Sequence, residues 1–192
     1  MFESDALIRI ETSRPEVGEG VRFIPTAPMI EADILASIRN DKFSQPDPIE
    51  NEQLDRTAFD WYGKAAERGN LEAIVSLGIF YLEGRGIDTD SNIALKLFND
   101  ASDKGSTEAM RQLATIYLQG EIVKKDYDLA AAFYRKAADK GDASSQFNLA
   151  VMLEKGQGID RDKDAEIAWY QDAARQGHNS SQKRLLKLQM DW

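Results

Sequence analysis

Apolar positions recur at a fixed interval over most of the chain. One leucine position repeats every 36 residues, at Leu77, Leu113, Leu149 and Leu185. One aromatic position keeps the same interval, at Tyr62, Phe98, Tyr134 and Tyr170. A fixed period of this length is the sequence signature of a repeat architecture, in which one supersecondary unit is copied. The pattern therefore predicts a stack of similar units.

Each repeat begins with a predicted helix. In the first copy Ala73, Leu77 and Tyr81 are spaced four residues apart, so they lie along one stripe of a helix from Asn70 to Glu83. N-cap residues, whose side-chain oxygens accept the free amides of the first turn, are expected at Asn70, Ser106 and Asp142. Glycines that tolerate a left-handed C-terminal turn end this helix at Gly84, Gly120 and Gly156.

A second helix follows a short loop in every repeat. Its predicted N-caps are Asp90, Asp126 and Asp162, and its predicted ends are Gly105, Gly141 and Gly177. In the first helix, Gly78, Ala114 and Ala150 leave room for a neighbouring backbone or ring. A lone helical hairpin cannot cover its own apolar stripe, but stacked hairpins can. The sequence therefore predicts an all-α stack of antiparallel helix pairs.

The repeat resembles a known family. The residues that carry the resemblance are Leu-Gly-x-x-Tyr-x-x-Gly-x-Gly-Ile at 77–87, Asp90, and Trp-Tyr-x-x-Ala-Ala-x-x-Gly at 169–177. This pattern is similar to the Sel1-like repeat, a relative of the tetratricopeptide repeat with a longer loop, and it covers roughly residues 59–189. The resemblance implies a right-handed superhelical α-solenoid that makes protein–protein contacts and has no catalytic residues. Scattered departures occur at Ile122, Leu153 and Glu166.

The periodicity divides the chain into four parts. Residues 1–28 lie outside the repeat and are rich in β-branched, apolar and turn-forming residues, which leaves three interpretations open: a β-hairpin on the solenoid, an extended arm, or a mobile tail. Residues 29–69 are predicted to form a degenerate N-terminal capping repeat, with helices at about 28–42 and 51–68. Residues 70–178 hold three repeats. Residues 179–192 form a C-terminal capping helix, whose outer face is made polar by Lys183, Arg184 and Lys187 and whose Trp192 is expected to fold back on the stack.

Charge and composition narrow the function classes. The 192 residues carry 24 basic and 33 acidic side chains, net −9. This balance argues against a nucleic-acid binder, which normally shows a basic stripe. Residues 1–69 hold 14 acidic against 8 basic residues, so a basic protein partner is the expectation. The chain has no cysteine and no apolar run long enough to span a membrane, and we expect a cytoplasmic protein.

No residue pattern predicts catalysis, a metal or a cofactor. His178 is the single histidine, has no second ligand near it in sequence, and is interpreted as a surface-loop residue. The runs that begin at Asp88 and Asp160 start like calcium loops but lack the glycine and glutamate that such loops require. Trp61 and Trp169 fall on the repeat interval, so both are predicted to pack in the core.

Candidate binding residues are those that vary between repeats on the first helix. In solenoids of the resembled type, the first helices line the concave surface. That relationship implies a protein-binding groove formed by Val75, Ile79, Glu83, Arg111, Thr115, Gln119, Phe147, Val151 and Lys155. Apolar side chains on such a surface are typical of a partner site. The alternative is that some of them pack between adjacent repeats or under the N-terminal residues.

The favoured function is therefore a non-enzymatic, monomeric adaptor or scaffold that binds a protein partner. The main alternative is a small acidic inhibitor, such as an immunity protein that neutralises one cognate toxin. A self-assembling structural repeat and an enzyme accessory protein are the other two classes considered.

Overall fold

The fold was analysed in a computed structural model, which describes residues 48–191, with side chains from residue 52. Within that part of the chain there are eight helices and no strand. The helices are α1 (Pro48–Ala66), α2 (Leu71–Glu83), α3 (Ser91–Asp103), α4 (Thr107–Gln119), α5 (Tyr127–Asp139), α6 (Ala143–Lys155), α7 (Lys163–Arg175) and α8 (Asn179–Leu188). Each packs mainly against the next helix in the chain, as stacked hairpins do. The predicted all-α solenoid of helix pairs is confirmed.

Capping residues start and end the helices where the repeat pattern predicts. Asn70 Oδ1 accepts from the amide of Ala73 at 2.9 Å, and Asp142 Oδ1 accepts from Ser145 at 2.6 Å. The glycines that end α2, α4 and α6 adopt φ values of 68, 72 and 68° at Gly84, Gly120 and Gly156. The second helices have C-caps at Lys104, Lys140 and Gln176, and the predicted glycines follow directly, with φ values of 93, 91 and 85° at Gly105, Gly141 and Gly177.

The recurring leucines and aromatics form the core. Leu113, Leu149 and Leu185 are fully buried, and the rings of Phe98 and Tyr134 are almost so. Gly78 lies directly under the Phe98 ring, where an added Cβ would come within 2.5 Å of ring carbon Cε1. The small residue predicted at this position is thus required by the ring of the next helix.

The inter-helix loops pack against the preceding repeat. A Cβ on Gly158 would overlap the carbonyl group of Tyr127 and lie 2.7 Å from the amide nitrogen of Asp128. Gly86 makes the equivalent approach to the backbone of Asp55 and Arg56. Ile122 occupies this position in the middle repeat and remains partly exposed. Two of the three loops therefore fix the distance between neighbouring helix pairs by backbone contact.

Two predictions differ from the structure, whereas the prediction that Trp169 packs against the core is confirmed. The helix expected to resume at residue 51 begins at Pro48, because proline is tolerated in the first helical turn. Trp61 is not in the core: it is 41% exposed, and its ring lies beside the Lys64 ammonium group. Trp169 is partly buried against the core. The predictions for residues 1–28, for a helix at 28–42 and for Trp192 lie outside the described residues.

Candidate protein-binding surface

The exposed side chains of the first helices, α2, α4, α6 and α8, form what we call the first-helix face. At its N-terminal end the prediction needs correction. Val75 is only 2% exposed and belongs to the core, so it is not available to a partner. Ile79 is half-buried against the same core cluster, whereas Glu83 is exposed. The alternative of packing between repeats therefore applies to Val75 and in part to Ile79.

In the middle of the face, polar side chains are held by neighbours. The Arg111 guanidinium forms an ion pair with Glu108, one turn earlier in α4. Burial lowers the pKa of Arg111, but the hydrogen bond and the charge of Glu108 more than offset this and raise it. Thr115 Oγ1 lies 3.0 Å from the Tyr134 hydroxyl, and Gln119 is exposed. Arg111 and Thr115 therefore have structural partners, which leaves Gln119 as the free polar group among the three predicted residues.

At the C-terminal end, α6 and α8 flank a depression with a volume of about 390 Å³, here called the C-terminal pocket. It brings together three of the predicted residues, Phe147, Val151 and Lys155, with six others: Glu154, Tyr170, Ser180, Lys183, Arg184 and Lys187. Its size falls in the range of about 300–1,000 Å³ that is typical of ligand-binding clefts. This is where the predicted surface becomes a concave site.

Aromatic contacts fix the floor of the C-terminal pocket. The Phe147 ring packs at a tilt against the Tyr170 ring, with 5.6 Å between centroids, and against the His178 ring, with 4.8 Å. Val151 is half-buried beside them and packs on the same cluster. These residues pack on the buried cluster around Leu185, so the floor is apolar and closely packed, with Tyr170 only 1% exposed beneath Phe147 and Val151.

A short polar network closes one wall of the pocket. The Tyr170 hydroxyl donates to Glu154 Oε2 at 3.1 Å, and Arg184 Nη2 forms an ion pair with Glu154 Oε1. Burial raises the pKa of Tyr170 well above its ordinary range, and the bond to Glu154 raises it further. Tyr170 therefore keeps its proton and remains a donor. Arg184 Nε is buried and has no hydrogen-bond partner among the described residues.

His178 has a structural role that the sequence interpretation missed. It is the N-cap of α8, and its Nδ1 accepts from the backbone amide of Ser181 at 3.3 Å. Burial lowers the pKa of His178, which favours the neutral ring that this acceptor role needs. The residue is thus a cap and an aromatic neighbour of Phe147, not a free loop side chain.

The three cationic side chains of α8 take part in a site that the sequence analysis did not identify. The sequence predicts that Lys183, Arg184 and Lys187 make the outer face of a cap polar; Lys183 and Lys187 are indeed exposed, and all three side chains line the C-terminal pocket. A signal was present, because Lys183 and Lys187 are one repeat interval after Phe147 and Val151. Extending the variable positions into the capping helix would have found them.

Two other depressions lie along the loops and differ in character. One, of about 440 Å³, is lined by Glu52, Arg56, Ile87, Asp88 and two loop glycines. The other, of about 410 Å³, is lined by Asp128, Ile159, Asp160 and two loop glycines. Each contains one apolar side chain, so neither offers the apolar floor of the C-terminal pocket.

Two features that would point to another kind of site, a metal cluster and a membrane-spanning helix, are absent from the described residues. Across residues 48–191 no three or more His, Asp or Glu side chains are grouped so that they could hold a metal ion. None of the eight helices is both long and apolar enough to cross a membrane.

Comparison with known proteins gives a consistent family match. A family model described as the Sel1 repeat matches residues 52–70, 71–106, 107–142 and 143–178. No curated protein matches the chain significantly. A Sel1 repeat protein from Oxalobacter formigenes is 31% identical, with a TM-score of 0.62, and the match covers 66% of this chain and 95% of that one.

Two further solved structures share the fold. The protein c5321, a protective antigen present in uropathogenic Escherichia coli strains, displays an SLR fold and is 28% identical, with a TM-score of 0.64. That match covers 84% of this chain but 33% of c5321. Helicobacter pylori cysteine rich protein B is 23% identical over 70% of this chain and 96% of its own, with a TM-score of 0.57.

Proposed function

The chain belongs to the Sel1 repeat family, and on that premise we propose that it is a non-catalytic module that binds a protein partner on its first-helix face. Sel1 repeat proteins are generally protein-interaction modules. The observation that carries the proposal is the C-terminal pocket, whose half-buried floor residues Phe147 and Val151 can be reached by a partner side chain and are backed by the buried Tyr170 ring. Binding energy concentrates where an apolar side chain fills such a pocket.

The surface proposed for the partner is smaller than the nine residues predicted from the sequence. Gln119 and Lys155 are exposed, and Phe147 and Val151 are half-buried in the pocket wall and floor. Arg111, Thr115, Ile79 and Glu83 border this region at the N-terminal side. Val75 is excluded because it lies in the core.

A matched pair of variants tests the proposal. Val151→Arg places a long charged side chain in the C-terminal pocket, whereas Ile93→Arg adds the same side chain to a partly exposed position on the second helix α3. Wild-type, Val151→Arg and Ile93→Arg chains are used to capture proteins from a lysate of the native organism, after thermal melting has shown that all three are folded.

We expect wild type and Ile93→Arg to retain the same stoichiometric protein and Val151→Arg to lose it. Equal capture by the two variants, or no specific capture by wild type, would refute binding at this face. The affinity for the captured protein then separates an adaptor from a dedicated inhibitor. Micromolar binding fits an adaptor and nanomolar binding fits an inhibitor of the immunity type, a difference of about 4 kcal/mol.

A further inference from the structure

The C-terminal pocket has a charge opposite to that of the chain. Four of its lining side chains are cationic, Lys155, Lys183, Arg184 and Lys187, and one is a carboxylate, Glu154. The local balance is therefore +3, in a protein whose formal net charge is −9. Such a reversal is informative because a charged cleft attracts ligands of the opposite sign.

The lysines of the pocket lack partners in the described part of the chain. Arg184 is paired with Glu154, but Lys155, Lys183 and Lys187 form no ion pair within residues 52–191. Glu154 is already engaged by both Arg184 and the Tyr170 hydroxyl. Three ammonium groups around one depression repel each other, and no carboxylate in the pocket is free to compensate them.

Charge and apolar surface are combined in the same cavity. The floor consists of the half-buried Phe147 and Val151 over the buried Tyr170 ring, and the lysines stand on the flanking helices α6 and α8. A ligand that complements both the charge and the apolar surface would place an apolar group on the floor and carboxylates next to the lysines. Its carboxylates would form charge-assisted hydrogen bonds, which are stronger than neutral ones.

We propose that the C-terminal pocket binds an acidic segment of the partner protein, with one apolar side chain on the floor formed by Phe147 and Val151 and flanking carboxylates on Lys155, Lys183 and Lys187. This inference rests on the proposed protein-binding function and specifies its chemistry. It also departs from the expectation of a basic partner, which derives from the acidic excess in residues 1–69 and stays a prediction for that part of the chain.

The test uses the full-length chain and peptides selected on it from a random-sequence display library. The selected peptides are measured by fluorescence anisotropy against wild type and two charge-reversed variants. Lys183→Glu/Lys187→Glu changes the pocket, while Lys96→Glu/Lys124→Glu changes the net charge by the same amount at exposed sites outside it. A second peptide, in which the apolar residue is replaced by serine, tests the floor.

The selected peptides should be net acidic around one apolar residue. Their affinity should fall about tenfold or more in Lys183→Glu/Lys187→Glu, because two attractive charge pairs become repulsive, and remain within about twofold in the control. Binding should also weaken as salt is raised. The serine peptide should bind several-fold more weakly than its parent.

Two results would overturn the inference, and they differ from failure of the proposed function. Neutral or basic peptides that bind the two charge variants equally would show that the pocket does not select carboxylates, while the proposed function would still stand if Val151→Arg abolishes capture of the native protein. Equal binding of the serine peptide would show that charge alone is recognised and that the floor is not used.

Discussion

Replacing Gly158 with alanine tests how the loops hold the repeats together. Gly158 has a φ of 67°, and a Cβ there would collide with the carbonyl of Tyr127 and crowd the amide of Asp128, both at the start of α5. These are backbone atoms of a capped helix, so they cannot move aside as a flexible side chain would. Gly141 is the matched control, because its φ is 91° and nothing lies within 4 Å of an added Cβ.

The expected costs follow from these two environments. A non-glycine residue in the left-handed region costs about 1–2 kcal/mol, and this applies to both variants. Overpacking adds about 1–3 kcal/mol, and this applies to Gly158→Ala alone. A stiffer unfolded chain returns about 0.4–1 kcal/mol in each case. Gly158→Ala should therefore lose about 1–5 kcal/mol of unfolding free energy, and Gly141→Ala about 0–2 kcal/mol.

Urea unfolding followed by far-UV circular dichroism measures both losses. The two variants should differ by at least about 1 kcal/mol, or about 2–4 °C in melting temperature for each kcal/mol in a chain of this size. Equal losses would show that the loop is free to move away from α5. The close backbone contact would then not set the spacing of the repeats.

Three other substitutions probe the core, a cap and a buried charge. Leu149→Ala should cost about 2–5 kcal/mol in urea unfolding, because Leu149 is fully buried, and a loss below about 0.5 kcal/mol would contradict the repeat register. His178 has a lowered pKa, so protonation favours the unfolded chain and stability should fall as the pH drops below 6.5. His178→Asn keeps a capping side chain and should remove that part of the pH dependence; an unchanged profile would contradict the role of His178. Glu166 is buried and paired with Lys163, and the other repeats have alanine at this position. Glu166→Ala should therefore change stability by less than about 1 kcal/mol in urea unfolding, because the desolvation cost of the carboxylate offsets the ion pair. A loss above about 2 kcal/mol would contradict this.

The repeat interval was sufficient to predict the fold because each signal was local and was repeated. Asn70 and Gly84 mark the start and end of one helix through short-range hydrogen bonding and backbone conformation, and the same residue types recur one interval later. A single cap is weak evidence for a helix boundary. The same pattern in three copies left little freedom in the placement of the helices, and the structure confirms that placement.

Burial of individual side chains was harder to predict because it depends on the neighbouring repeat. Val75 and Arg111 are equivalent by sequence, yet Val75 is enclosed by its own core cluster and Arg111 is half-exposed beside Glu108. Trp61 shows the opposite error. It lies on the same repeat interval as Trp169, which packs against the core, but it remains exposed on α1. Periodicity identifies the position in the unit, and the neighbouring helix decides whether that position is covered.

The candidate site depends on contacts between residues far apart in sequence. Glu154 and Arg184 are 30 positions apart. They meet only because α6 and α8 both lie beside Tyr170 of α7. No local motif marks this arrangement. Only the interval of 36 residues relates Lys187 to Val151, and it does so only when α8 is treated as a first helix and not as a cap.

Photo-crosslinking of the captured partner tests the central claim most directly. A photoreactive amino acid is placed at the exposed positions Gln119 and Lys155 on the first-helix face, and at the exposed positions Lys96 and Arg135 on the second helices. Our account predicts strong crosslinks to the partner from Lys155, weaker ones from Gln119, and background levels from Lys96 and Arg135. Equal crosslinking from both sets, or crosslinking from Lys96 and Arg135 alone, would contradict binding on the first-helix face.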